Sequence, residues 1–336
     1  MNIFEDTLFP AGRRWDYALG NVASDLKLSK EKRHAEILAK AKQLYPEALK
    51  AESFPRIGVL NLMLPIGCNA TCPRICYIGP KKTQGISFPS LIDLIKQFAT
   101  IGGKLIRIVG DGEPTLYPHF VELCLLAREL NLDVIVFTNG IGELPADIIK
   151  EYQKGNLYFY VKLWSEDQAE QTALVCPKQG WEYEYTVGQY GLAPKPFYQL
   201  HKVDPNKVGF QVMTCSLNEK SAKKIFSGPK QKLPIFSEPI TLAGKAENLH
   251  NLLPKKLNFP ITKFCSKPPR GSYMANLNSF GKLQAGVFVS ENAVSVVGKN
   301  LQTVWKNICL KNELFFQARY TQGCFCEAVR TGKIPP

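Results

Sequence analysis

Pro65-Ile66-Gly67-Cys68-Asn69-Ala70-Thr71-Cys72-Pro73-Arg74-Ile75-Cys76-Tyr77-Ile78-Gly79-Pro80 decides how the rest of the chain is read: three cysteines at steps of four, in a loop studded with Gly and Pro. Thiolates are soft ligands that select zinc, copper(I) or iron–sulfur centres, and cysteine clusters in an intracellular chain bind metal more often than they form disulfides. A four-iron cluster normally takes four thiolates, so three close ligands leave one iron for another partner, much as catalytic zinc sites keep an open position. On spacing alone, iron–sulfur and zinc both remain open, with a disulfide and a spare thiol as the third reading.

Outward from the loop, an apolar, strand-like run from Arg56 to Leu64 precedes it. After a helix-like segment, a second strand ends in Gly110-Asp111-Gly112-Glu113-Pro114-Thr115. Strand and helix then alternate. Strands are expected at Ile57 to Leu64, Leu105 to Val109, Asp133 to Phe137, Tyr158 to Leu163, Val208 to Thr214 and Ile235 to Leu242. Helical stretches lie near Pro89 to Thr100, Phe120 to Leu130, Ala146 to Gln153 and Glu219 to Ile225. Alternation of this kind favours a parallel sheet, whose strands, buried on both faces, read as continuous apolar runs such as Val134-Ile135-Val136-Phe137. Ligands of such sheets sit outside the carboxyl ends of the strands. That rule singles out Thr138-Asn139-Gly140, Lys162-Leu163-Trp164-Ser165 and Asn218. As plain structure, the same residues read as turn and helix-cap types.

A cysteine triad after the first strand and a Gly-rich acidic motif after the second resemble the radical S-adenosylmethionine superfamily. The spacing here is C-x3-C-x3-C, one residue longer before the last ligand than the family's usual C-x3-C-x2-C. The resemblance covers roughly Arg56 to Ala246 and implies an α/β fold, a partial (β/α)6 parallel barrel. It implies that Cys68, Cys72 and Cys76 hold a [4Fe-4S] cluster that binds S-adenosylmethionine through its open iron. Ile75 would pack on the adenine, and Gly110, Asp111, Gly112 and Glu113 would grip the methionyl amino group, since an ammonium needs acceptors. By the same analogy Lys162 or Ser165 and Asn218 bind the ribose and the methionine carboxylate, with Asn139 and Thr138 as neighbours. Leu242 to Ala246 would close the adenine side. The activity implied is reductive cleavage of the cofactor to a 5′-deoxyadenosyl radical that abstracts a substrate hydrogen, with a flavodoxin- or ferredoxin-type protein as electron donor.

Past Leu253 the alternation stops. Three segments are expected there: Cys265, a hairpin from Ser272 to Leu277 and Lys282 to Val289 around Asn278-Ser279-Phe280-Gly281, and a helix near Leu301 to Ile308 before Gly323-Cys324-Phe325-Cys326. This region resembles the auxiliary-cluster module of the SPASM and twitch subgroups, although no cysteine stands at Gly286, where the SPASM pattern places one. The resemblance implies one auxiliary [4Fe-4S] cluster on Cys265, Cys324 and Cys326, with Cys309 as the fourth ligand. A zinc site and unligated thiols are the alternatives. Cys124, Cys176 and Cys215 stand alone and read as packing residues.

The chain thus divides into an N-terminal extension (1–55), a barrel core (56–252) and a C-terminal iron–sulfur region (253–336). In the extension, Ser29 caps a helix expected from Lys30 to Leu44, stopped by Pro46. The segment is too short for a separate peptide-recognition domain, so docking of a peptide substrate would fall to a partner protein. In the insertion from Gln168 to Gln199, Trp181, Tyr183, Tyr185, Tyr190 and Tyr198 read as staples of a loop to the core.

Composition fits a globular chain, 45% hydrophobic and 21% charged. It contains neither a run of about eighteen apolar residues nor a signal-peptide pattern, so no membrane association is expected and the compartment is taken as cytoplasmic. Formal net charge is +13, and His201 to Arg270 alone hold thirteen Lys or Arg against four Asp or Glu. Such an excess favours an acidic partner. Nucleic acid is disfavoured, since no compact basic block or aromatic RNA-binding signature accompanies the charge. Maturation of an acidic, ribosomally made precursor peptide is therefore the leading expectation. Deoxygenation or dehydrogenation of a small natural product is the alternative, because the C-x3-C-x3-C spacing also resembles aminoglycoside deoxygenases. A polycationic aminoglycoside would be repelled at long range by this chain.

Overall fold

Val134-Ile135-Val136-Phe137 shows how the sheet is made: in the computed structural model, Val134 and Val136 face the helices while Ile135 and Phe137 face the opposite side, and all four are buried. The structure describes residues 56–72, 85–214, 217–239, 272–284 and 293–311. The N-terminal extension, Ile75, Cys76, Cys215, Cys265, Cys324, Cys326 and Leu242 to Ala246 lie outside the described residues, and of Cys309 only the helical backbone is described.

Six parallel strands form the body, in sequence order: β1 (Arg56–Met63), β2 (Leu105–Gly110), β3 (Asp133–Thr138), β4 (Leu157–Leu163), then β7 (Val208–Thr214) and β8 (Ile235–Pro239). All six expected strands are present. The linking helices are α1 (Phe88–Thr100), α2 (Phe120–Glu129), α3 (Ala146–Gln153) and α6 (Glu219–Ser227). Helix α1 starts because the Ser87 hydroxyl accepts from Ser90 N at 3.3 Å and Pro89 sits in its first turn. Its stripe of Leu91, Leu94, Ile95 and Phe98 is buried against the outer face of the strands. Each of these side chains contributes about 1.5–3 kcal/mol by leaving water. On the inner face, Val59, Leu105, Ile135, Phe137, Tyr158 and Tyr160 form a second apolar cluster. Two apolar faces per strand explain the unbroken hydrophobic runs and the partial barrel.

The insertion after β4 is more regular than expected. It holds helix α4 (Gln168–Val175), a small antiparallel pair of β5 (Tyr185–Gly188) and β6 (Gly191–Pro194), and helix α5 (Lys195–Val203). Asp167 accepts from Glu170 N at 2.8 Å and caps α4, and Gly191 takes φ +79° at the hairpin turn. These local signals are short, which is why the aromatic content masked them.

The expected C-terminal hairpin is present as β9 (Ser272–Leu277) and β10 (Lys282–Gln284), followed by β11 (Val294–Ser295) and helix α7 (Leu301–Lys311). Its attachment was not foreseen: β9 runs parallel to β1 and extends the same sheet to nine strands. The junction carries a buried amide pair in which Asn61 Nδ2 donates to Asn276 Oδ1 at 2.7 Å. Leu301 N donates to Gln97 Oε1 at 2.7 Å and ties α7 to α1. No helix among the described residues is long and apolar enough to cross a membrane.

Candidate active site

The loop after β1 carries Cys68 and Cys72, both half-buried, at the carboxyl end of the sheet. The acidic motif after β2 lies directly against it. Glu113 N donates to Gly67 O at 3.1 Å, and a Cβ on Gly112 would fall 2.3 Å from Ile66 O and 2.4 Å from Gly67 O. Only glycine lets the two loops approach that closely. Asp111 stands at φ +65°, a left-handed conformation that Asp tolerates better than most residues.

Glu113 is buried, and its carboxylate receives four donors. Oε1 accepts from Thr138 Oγ1 at 2.7 Å, Thr115 Oγ1 at 2.9 Å and Thr115 N at 3.3 Å, while Oε2 accepts from Asn139 N at 2.7 Å. Burial pushes its pKa above the usual carboxylate value. The bonds from Asn139, Thr138 and Thr115 pull the other way, and so does the charge of Lys162. The acid therefore joins the ends of β2, β3 and β4 in one electrostatic unit.

Asn139 is held at every polar atom. Its N–H goes to Glu113, its carbonyl accepts from the Tyr183 hydroxyl, and its Oδ1 accepts from Ile141 N at 2.9 Å. Its two amide hydrogens go to Asn69 Oδ1 at 2.7 Å and to Cys68 Sγ at 3.6 Å. Asn69 is oriented in turn by Ile141 O, to which its Nδ2 donates at 3.3 Å. One backbone residue thus pins both amides, donor to one and acceptor to the other.

Behind this lies Gln171, fully buried on α4. Its Oε1 accepts from Trp164 N at 2.6 Å and Ser165 N at 3.0 Å, and its Nε2 donates to Tyr183 OH at 2.9 Å. Burial pushes the Tyr183 phenol far up, so it stays protonated and able to donate to Asn139. The chain just past α4 also clasps the cysteine loop: Thr71 N donates to Cys176 O at 2.8 Å, Cys72 N to Val175 O at 3.0 Å and Lys178 N to Asn69 O at 2.9 Å. Gln171 and this clasp carry no sequence signal; only the buried position of α4 reveals them.

Of the residues expected at the site, Cys68, Cys72, Gly110, Asp111, Gly112, Glu113 and Asn139 come together, and Lys162 reaches the group through its charge. Ser165 is buried, its hydroxyl donating to Glu170 and accepting from Asp167 N at 2.9 Å. Asn218 stands at the start of α6, its Nδ2 donating to Trp164 O at 2.7 Å and Met213 O at 2.8 Å. Both brace the ends of β4 and β7.

Among the described residues no group of three metal-ligating side chains converges. The donor chemistry nevertheless suits an iron–sulfur cluster: two thiols in a short loop, with an amide N–H directed at one of them.

No protein-family model and no curated protein matches the chain. Among solved structures, Streptococcus suis SuiB bound to precursor peptide SuiA is similar at TM-score 0.55 and 12% identity, over 81% of this chain and 69% of that one. BtrN in complex with AdoMet and 2-DOIA gives a TM-score of 0.38 at 13% identity, over 80% of this chain and 88% of that one. Coproporphyrinogen III oxidase (HemN) from Escherichia coli, a radical SAM enzyme, gives 0.36 at 10% identity, over 63% and 50%. The chain shares the fold of SuiB, an α/β architecture on a largely parallel sheet.

Proposed function

We propose that the protein is a radical S-adenosylmethionine enzyme that modifies a ribosomally made, acidic peptide. The observation that carries the reading is the contact between the two motifs: the Gly112–Glu113 turn bonded to the residue before Cys68, with Asn139 bridging both. When bound, the cluster and S-adenosylmethionine supply one-electron cleavage to a 5′-deoxyadenosyl radical that takes a hydrogen atom from a substrate carbon.

The chain's own residues bind, orient and shield. Cys68 and Cys72, with Cys76, hold the cluster. Glu113, its carboxyl oxygens held by four donors, fixes the acidic motif against the cysteine loop, through its N–H bond to Gly67 O, and against the end of β3. Val59, Ile135 and Phe137 line the inner face with apolar surface, which limits water there.

Two features support a peptide substrate. SuiB, the structural neighbour, was captured with a precursor peptide. Lys220, Lys223 and Lys224 are exposed along one face of α6, within a chain of net charge +13, and such a face attracts acidic segments. A flavodoxin- or ferredoxin-type donor, a cytoplasmic location and an auxiliary cluster on Cys265, Cys324 and Cys326 complete the proposal.

Cys72→Ala tests it. The variant should lose the brown colour of one cluster and form no 5′-deoxyadenosine, and unchanged cofactor cleavage would defeat the reading. Mass spectrometry of candidate precursor peptides incubated with the reduced enzyme tests the substrate class.

A further inference from the structure

Asn139 is more firmly oriented than cofactor contact alone requires. Every polar atom of the residue has a protein partner, and the one hydrogen not needed to join neighbouring loops points at Cys68 Sγ, 3.6 Å from the amide nitrogen. A 3.6 Å separation suits an N–H donor and the large sulfur atom. We infer that Asn139 is a positioning residue that sets the reduction potential of the cluster through an N–H···S bond to Cys68, with Ile141 and Asn69 fixing the direction of that bond. The inference rests on the cluster reading above.

The physical reason is charge. Reduction adds an electron to a cluster whose thiolate sulfurs already carry negative charge, and a hydrogen bond to sulfur stabilises the more negative state. Removing the donor leaves the oxidised state relatively favoured and lowers the potential. The amide cannot turn to offer its oxygen instead, because Ile141 N holds Oδ1 and Asn69 Oδ1 takes the other amide hydrogen.

The test is a redox titration followed by electron paramagnetic resonance, read on the signal that changes when S-adenosylmethionine is added, so that any other cluster is set aside. Two variants remove the donor, Asn139→Ala and Asn139→Asp; Asp keeps an oxygen for Ile141 N. Both should be about tenfold harder to reduce, about 59 mV for one electron. Tyr183→Phe loosens the same residue but leaves its amide, and should titrate at the parent potential. Parent-like potentials in both Asn139 variants would overturn the inference, as would an equal shift in Tyr183→Phe, which would make the effect general loosening. Absence of any such signal in the parent would defeat the cluster reading itself and the inference with it. If neither Asn139 variant assembles a cluster while Tyr183→Phe does, Asn139 acts in assembly, not in potential, and the inference falls.

Discussion

The backbone N–H of Glu113 donates to the carbonyl of Gly67 at 3.1 Å, so the acidic motif is fastened to the residue immediately before the first cysteine. Between the two lies Gly112, whose missing side chain leaves room for the carbonyls of Ile66 and Gly67. Gly112→Ala must push the cysteine loop away from the motif, because backbone atoms 2.3 and 2.4 Å from the new methyl cannot give way as a flexible side chain does. We expect about 1–3 kcal/mol of lost stability and iron incorporation well below the parent's. Thermal unfolding and iron analysis of the purified variant check both; parent-like iron content would contradict the contact.

Glu113 offers a graded pair. Glu113→Ala strands the donors from Thr115, Thr138 and Asn139 and should cost about 1.5–3 kcal/mol, the range for bonds to a charged group. Glu113→Gln keeps one acceptor oxygen and should cost less, while still weakening cofactor cleavage through loss of the charge. The pH dependence follows from the raised pKa. The stability Glu113 contributes is fully present below its unfolded value of 4.5 and is lost as pH climbs through the folded value. Gln should therefore hurt stability less at neutral pH than near pH 4, as denaturant unfolding at the two pH values would register.

The parallel sheet was legible because a strand buried on both faces writes itself as a continuous apolar run, and the cysteine loop and Gly112–Glu113 were legible because ligands and close approach demand particular residue types. Gln171 was not. Nothing about a glutamine on a short helix announces that it will be wholly buried and will cap the end of β4. The same holds for β9 on β1: the hairpin was readable from its turn, but its docking edge depends on a partner 215 residues away, marked only by Asn61 meeting Asn276. Ser165 and Asn218 show the converse. Their positions after strands were read correctly, while the hydrogen bonds that occupy them are set by elements distant in sequence.

His201 on α5 supplies a pH-dependent stability term. It lies against the rings of Tyr190 at 5.1 Å and Phe197 at 5.4 Å, and burial lowers its pKa below 6.5. The unfolded chain then binds a proton more readily than the folded one as pH falls below 6.5, so stability should fall with pH through that window. His201→Gln should flatten this slope between pH 7.5 and 5.5 in urea unfolding. A slope unchanged from the parent would show that the imidazole is not responsible.

The C-terminal cysteines give a prediction separable from the first cluster. Changing Cys265, Cys324 and Cys326 together to Ala should lower the iron content while leaving reductive cleavage of S-adenosylmethionine largely intact, because the described residues bonded to Cys68, Asn69 and Cys72 come from the loop after β3 and from the insertion after β4. The C-terminal elements that are described meet the barrel along β1, at Gln97 on α1 and at Ile86, whose N–H donates to Ser279 O at 2.7 Å. Loss of an auxiliary cluster should therefore affect turnover of substrate more than cofactor cleavage without substrate. Iron and sulfide analysis beside 5′-deoxyadenosine assays separates the two readouts. Equal iron in the triple variant and the parent would remove the auxiliary cluster from the proposal. A parallel loss of cofactor cleavage would mean that these cysteines support the first cluster.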